Sequence, residues 1–271
     1  MALTQLQRAI CRLIARNRIE SGESYVAGGV ALNEALRAQR VSRDIDLFHD
    51  TYEALDATWE ADRTLLESSG FQVEVLRQLR GFVQATVRGL GESVKMEWVR
   101  DSAYRFFPLQ LDELLGVTLH PFDLATNKIL ALVGRLEVRD WIDAIASHER
   151  IQPLGYLAWA ACGKDPGFSP SAILEFASRS HYAQDEVSQL AFDGPPPDAG
   201  DLSRRWRTAI GEARKIIALL PPPEAGKAVL MNSGALCHDE PGALEASMRG
   251  GQVLFHAGRL RGALPGFPPA S

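Results

Sequence analysis

Residues 25–48, "YVAGGVALNEALRAQRVSRDIDLF", carry the decisive pattern of this chain. The apolar run Ser24–Ala27 stops at Gly28 and Gly29, which reads as a buried strand entering a tight turn. Val30–Arg37 has helical character, and Asp44–Phe48 is the next strand. Strand side chains alternate faces, so Asp44 and Asp46 stand side by side while Ile45 and Leu47 face the other way. Two carboxylates that close raise each other's pKa unless a cation lies between them. A hard divalent ion such as Mg²⁺ supplies that charge and keeps water or phosphate oxygens as its other ligands. Gly28 and Gly29 let backbone N–H groups approach an anion, and the helix that follows turns its positive end to the same place. Taken singly, an Asp-x-Asp also fits a solvated strand edge and a Gly-Gly pair a mere turn. Their conjunction points to phosphoryl or nucleotidyl transfer.

Working outward, an amphipathic helix with Leu6, Ile10, Leu13 and Ile14 on one face precedes this stretch. After it come a helix over 52–68 closed by Gly70, then strands over 71–76, 82–87 and 94–99, the last two joined by the hairpin turn "RGLGES". This order predicts an α/β (α+β) mixed sheet flanked by helices. From Leu111 the pattern turns to successive helices, giving a mostly α-helical C-terminal lobe. "FDLATNKILALVGRLEVRDWIDAIASH", residues 122–148, predicts a helix N-capped by Asp123 and a second containing Trp141, Ile142 and Ile145. Further helices are expected near 169–178, 183–191, 201–219 and 224–236, separated by the stiff turns "DGPPPDAG" and "LPPPE", with "GALPGFPPAS" as a loose tail. The expected division is 1–110 and 111–271.

The 271 residues, 46% of them hydrophobic, suffice for a large core. A net charge of −5 provides no general basic field for nucleic acid, so an RNA partner would need a local patch. Cys11, Cys162 and Cys237 are too few and too scattered for a disulfide framework or a thiolate metal site, and the histidines lack zinc-ligand spacing. No apolar run approaches the roughly 20 residues that span a bilayer. The expectation is a soluble cytoplasmic protein with no membrane partner.

The stretch "AGGVALNEALRAQRVSRDIDLF" resembles the signature of the DNA polymerase β-type nucleotidyltransferase superfamily, and is most similar to its AbiEii/AbiGii-type toxins of bacterial toxin–antitoxin and abortive-infection systems. "DLATNKILAL" resembles the second motif of those toxins and "RDWIDAI" the third. The resemblance implies a nucleotidyltransferase-type fold and an enzyme that moves an NMP from an NTP to an acceptor: a tRNA, a protein or a small molecule. It implies Gly28 and Gly29 at the phosphates and Asp44 and Asp46 on Mg²⁺ or Mn²⁺. Lys128, from the helical domain, would contact the triphosphate in the cleft, with Asp140 working beside it. Arg43 and Arg139 join the nucleotide-binding candidates, Arg139 as a bidentate contact. Asp143, one turn beyond Asp140, is a further carboxylate, and a cognate antitoxin is an implied partner.

Glu97, on the polar face of "SVKMEWVRD", is the candidate third metal ligand; a solvent-facing Glu paired with a neighbouring strand is equally consistent. Lys128 also fits a solvated helix face, and "RDWID" a surface ion pair. "LSRRWRTAIGEARK" gathers Arg204, Arg205, Arg207, Arg214 and Lys215 around Trp206, either as an RNA-facing patch with one stacking aromatic or as a solvated helix face. The competing functional reading is a catalytically silent nucleotide-binding module whose helical half engages a partner.

Overall fold

A computed structural model describes residues 3–266. In chain order the elements are α1 (Gln5–Ser21), β1 (Ser24–Ala27), α2 (Gly28–Leu36), β2 (Asp44–His49), α3 (Tyr52–Ser68), β3 (Gln72–Leu79), β4 (Phe82–Gly89), β5 (Glu92–Arg100), β6 (Tyr104–Arg105), β7 (Gln110–Asp112) and β8 (Gly116–Thr118). There follow α4 (Pro121–Arg135), α5 (Val138–Arg150), α6 (Leu154–Ala161), α7 (Pro170–Ala177), α8 (Gln184–Ser188), α9 (Ala199–Leu219), β9 (Lys227–Met231), α10 (Pro241–Arg249), β10 (Val253–Ala257) and β11 (Arg259–Leu260). Two compact units emerge: Met1–Ala103 with Leu109–His120 and Ala191–Pro195, and Tyr104–Pro108 with Pro121–Leu190 and Pro196–Ser271. Residues 267–271 of the expected tail lie outside the described residues.

The first unit is a seven-stranded mixed sheet in the order β3-β4-β5-β2-β1-β8-β7. β2 pairs antiparallel with β1 and parallel with β5, so the Asp-bearing strand is central. Ile45, Leu47 and Trp98 are fully buried on the face away from the aspartates. There Trp98 meets Trp59 of α3 edge to face at 4.7 Å, and its indole N–H donates to Asp62 at 3.1 Å. The β4–β5 hairpin turns at Leu90 and Gly91, both at positive φ, as the glycine-bearing turn predicts. Residues 111–118, expected to begin the helical part, instead belong with Gln110 to the β7–β8 hairpin that closes the far edge of this sheet.

The second unit is mainly helical, with three departures from expectation. Residues 224–236 are not a helix: after a turn at Gly226, φ +84°, the chain forms β9, which pairs with β10. A continuous run such as "AVLM" suits a buried helix and a buried strand equally, and the bounding turns decide between them. Val229, with Tyr156, Trp159, Ile216 and Leu244, belongs to a common core. Asp123 is not an N-cap, because α4 starts earlier, at Pro121. Its buried carboxylate accepts from the Phe106 and Phe107 amides at 2.9 and 3.0 Å and pairs with Lys164 at 2.8 Å, tying down residues 104–108. The helix expected over 183–191 shortens to α8, because Ala191–Asp193 leave to bind the chain before β2.

Candidate active site

The Asp pair follows from strand alternation: on β2, Asp44 and Asp46 are half-buried while Ile45, Leu47 and His49 are buried. Register places Ala27 and Glu97 on either side of Asp46, and Lys95 beside Asp44. Gly28 has φ +65°, and a Cβ there would collide with the Asp46 carboxylate. At Gly29 a Cβ would lie 2.8 Å from Ser42 Oγ and 2.9 Å from the Arg40 guanidinium. Both glycines therefore make room, one for a carboxylate and one for the strap leading into β2. Ala27 offers no side-chain cap, so the first turn of α2 keeps amides directed out of the helix.

The strap itself is held by two main-chain bonds and one from a buried side chain. Val41 N–H donates to Ala191 O at 2.8 Å, Asp193 N–H to Gln39 O at 2.7 Å, and Gln7 Nε2 to Ser42 O at 2.7 Å. Arg40 and Ser42 are buried and Arg43 is exposed. Sequence reasoning singled out Arg43; the two residues packed against the glycine turn are its neighbours.

A cation that bridges Asp44 and Glu97 is one the sequence reading overlooked. Lys95 Nζ lies 3.4 Å from Asp44 and 3.3 Å from Glu97, and Gln84 donates to Glu97 at 2.7 Å. Partial burial works against the Lys95 charge, but Asp44 and Glu97 outweigh it and raise its pKa. The alternation Val94, Met96, Trp98 buried against Lys95, Glu97 half-exposed was the available signal. Among the described residues no three Asp, Glu, His or Cys side chains converge as a metal cluster.

In the second unit, α4 and α5 meet at a tight corner through Leu136, φ +51°. The corner sets Lys128 against the next helix, where Nζ lies 2.9 Å from Asp140 and 3.2 Å from Asp143. This is not a solvated pair: the Lys128 side chain is 8% exposed, Asp140 0% and Asp143 2%. Arg135, absent from the sequence candidates, forks onto Asp140 with bonds of 2.6 and 3.0 Å. Burial pushes the Asp140 pKa up, yet Arg135 and Lys128 together bring it below the ordinary carboxylate value. Arg139 turns to Glu137 at 2.6 Å. Trp206 is buried and donates to Ala177 O at 3.1 Å, so it is no stacking platform; Arg205 forks onto Glu149 and Arg204 onto Asp201 as ion pairs of a solvated helix face.

No protein-family model and no curated protein matches the sequence. Solved structures do. MenT4, a nucleotidyltransferase toxin from Mycobacterium tuberculosis H37Rv, superposes with a TM-score of 0.53 at 16% identity, over 80% of this chain and 85% of that one. JHP933 from Helicobacter pylori superposes at 0.54 and 16%, over 80% of this chain and 95% of that one. The chain has a nucleotidyltransferase fold. A second Helicobacter pylori structure agrees, with a TM-score of 0.54 at 15% identity over 79% of this chain. Within the nucleotidyltransferase fold of this chain, Asp44, Asp46 and Glu97 on paired strands and Gly28 and Gly29 at the start of α2 gather in the first unit, and Lys128, Asp140 and Asp143 at one helix corner of the second. No helix among the described residues is long and apolar enough to cross a membrane.

Proposed function

We propose that the protein is a divalent-cation-dependent nucleotidyltransferase that moves an NMP from an NTP to an acceptor hydroxyl, and that it is the toxin of a bacterial toxin–antitoxin pair. The observation that carries this reading is the Asp44–Asp46 pair facing the Gly28–Gly29 turn, in a fold shared with a nucleotidyltransferase toxin. The donor set fits Mg²⁺ or Mn²⁺: two hard carboxylates leave most coordination positions to water and phosphate oxygens, the way Mg²⁺ is commonly bound at triphosphates. Such an ion, when bound, neutralises charge building on the phosphates.

The protein's own groups divide the remaining work. Gly28 and Gly29 admit a phosphate to the α2 amides. Lys128, a compact point charge, meets the triphosphate, assisted by Arg43 and Arg139 as auxiliary contacts. Asp140, kept ionised by two cations, is a poor proton acceptor, and it serves to orient Lys128. The helical domain thereby supplies its own residues to catalysis, and a cognate antitoxin is the proposed protein partner. The acceptor is a tRNA 3′ end, a protein or a small molecule.

One observation favours the competing reading, a silent nucleotide-binding module: the Lys95 ammonium already compensates Asp44 and Glu97. Incubation of wild type and Asp46→Ala with each α-³²P-labelled NTP, Mg²⁺, total RNA and lysate protein tests the two readings. Asp46-dependent label on one macromolecule is the expected result. NTP binding with no label on any macromolecule would rule out an RNA or protein acceptor and leave the silent module or a small-molecule acceptor.

A further inference from the structure

We infer that Lys95 is a built-in competitor for the divalent cation, so that the ion enters with the triphosphate and not alone. The inference rests on the function proposed above and concerns how its metal position is filled. The β2–β5 ladder puts Asp44 opposite Lys95 and Asp46 opposite Glu97 on one face, which fixes three carboxylates and one ammonium within a two-residue span of two paired strands. Lys95 Nζ bridges Asp44 and Glu97 at 3.4 and 3.3 Å, and Gln84 holds Glu97 toward it from β4.

An ordinary surface ion pair would join Lys95 to one acid. Here it joins the two acids of which one, Asp44, is a proposed metal ligand and the other, Glu97, the candidate third. A divalent ion seated on Asp44 cannot share the carboxylate oxygen nearest Lys95 without two cations meeting at close range, which is repulsive. The lysine is 39% exposed on a flexible four-carbon stem, so it can swing into water. Its departure takes a positive charge away from two carboxylates, whose mutual repulsion then favours the ion. A bare cation must displace Lys95 unaided, whereas a cation bound to a triphosphate brings phosphate oxygens that complete its coordination. Lys95 is thus a positioning residue. It keeps the metal-free acids compensated and makes metal occupancy depend on substrate.

The test is a Mn²⁺ titration followed by electron paramagnetic resonance, with and without a non-hydrolysable α,β-imido nucleoside triphosphate, on wild type, Lys95→Gln, Lys95→Arg and Asp44→Asn. Removing two half-exposed ion pairs should tighten binding of Mn²⁺ alone by about tenfold in Lys95→Gln. Lys95→Arg, which keeps charge and fold, should not tighten it. Metal-free Lys95→Gln should melt below wild type and regain that loss on adding Mn²⁺, a response a merely structural lysine does not give. Lys95→Gln affinity within about twofold of wild type, or weaker, overturns the competitor role. Mn²⁺ binding in no variant, even with the triphosphate present, overturns the nucleotidyltransferase reading itself.

Discussion

Replacing Lys128 with Met tests whether the α4–α5 corner is held by a buried charge cluster, independently of any activity. Methionine keeps an unbranched side chain of similar reach and removes only the cation. At the observed 3.2 Å from Asp143, two unit charges attract by about 5 kcal/mol at an effective dielectric of 20. Desolvating the ions takes back much of that, so the pair contributes far less than the gross figure. What remains large is the cost of taking a cation away from a buried carboxylate. With Lys128 gone, Asp140 keeps its fork from Arg135, but Asp143, 2% exposed, loses the ammonium at 3.2 Å. The expected loss for Lys128→Met is about 3 kcal/mol, the lower end for breaking a buried pair. Asp143→Asn alone should cost less, since Lys128 retains Asp140 at 2.9 Å. In the double variant the carboxylate that lost its cation no longer exists, so the combined loss should fall short of the sum by about 2 kcal/mol. Urea unfolding of the four proteins, followed by the fluorescence of Trp141 and the other indoles, reads the cycle. Additivity within about 0.5 kcal/mol would refute the cluster, because independent sites add to that precision.

His49 and Gly28 give two further tests. Burial pushes the His49 pKa down to about 4 in the folded protein, against the ordinary 6.5. The folded state therefore binds fewer protons than the unfolded between those values, so stability is complete above about pH 6.5 and falls as pH drops toward 4. The loss is about 3 kcal/mol, and His49→Gln should flatten that part of a stability-versus-pH curve measured by urea unfolding; an unchanged slope rejects the assignment. Gly22 and Gly28 share φ +65°, but a Cβ on Gly22 meets nothing within 4 Å. Gly22→Ala should cost about 1–2 kcal/mol with nucleotidyl transfer intact. Gly28→Ala should cost a further 1–3 kcal/mol, roughly, and abolish transfer by displacing Asp46; equal melting points for the two variants would count against the close approach.

The legible parts of this chain are those where local rules and tertiary environment agree. The Asp44–Asp46 face, the Gly28 turn and the hairpin over 88–93 needed only strand periodicity and turn chemistry, and the sheet shows all three. The run "KAVLM" at 227–231 was misread because apolar continuity carries no period, and only its pairing with residues 253–257 makes it a strand. Asp123 was misread for a related reason. Its partners are amides 16 and 17 residues away, which no local capping rule can anticipate.

Lys95 and Arg135 mark a different limit. The sequence reading looked outside the chain for a cation between Asp44 and Asp46, whereas the structure sets Lys95 between Asp44 and Glu97. Nothing in "SVKMEWVRD" by itself says that Lys95 will stand opposite Asp44, because that fact belongs to the parallel register of β2 and β5, strands 48 residues apart at Glu92 and Asp44. Register is fixed by burying Ile45 and Leu47 beside Met96 and Trp98; a one-residue slip would turn both acids into the core. The apolar face of the sheet therefore chooses which charges meet on the polar face. The same logic holds at the α4–α5 corner, where the burial of Trp141 and Ile145 orients Asp140 and Asp143 toward Lys128. In both places the hydrophobic pattern, readable residue by residue, dictates the charge arrangement only after it has selected a pairing partner.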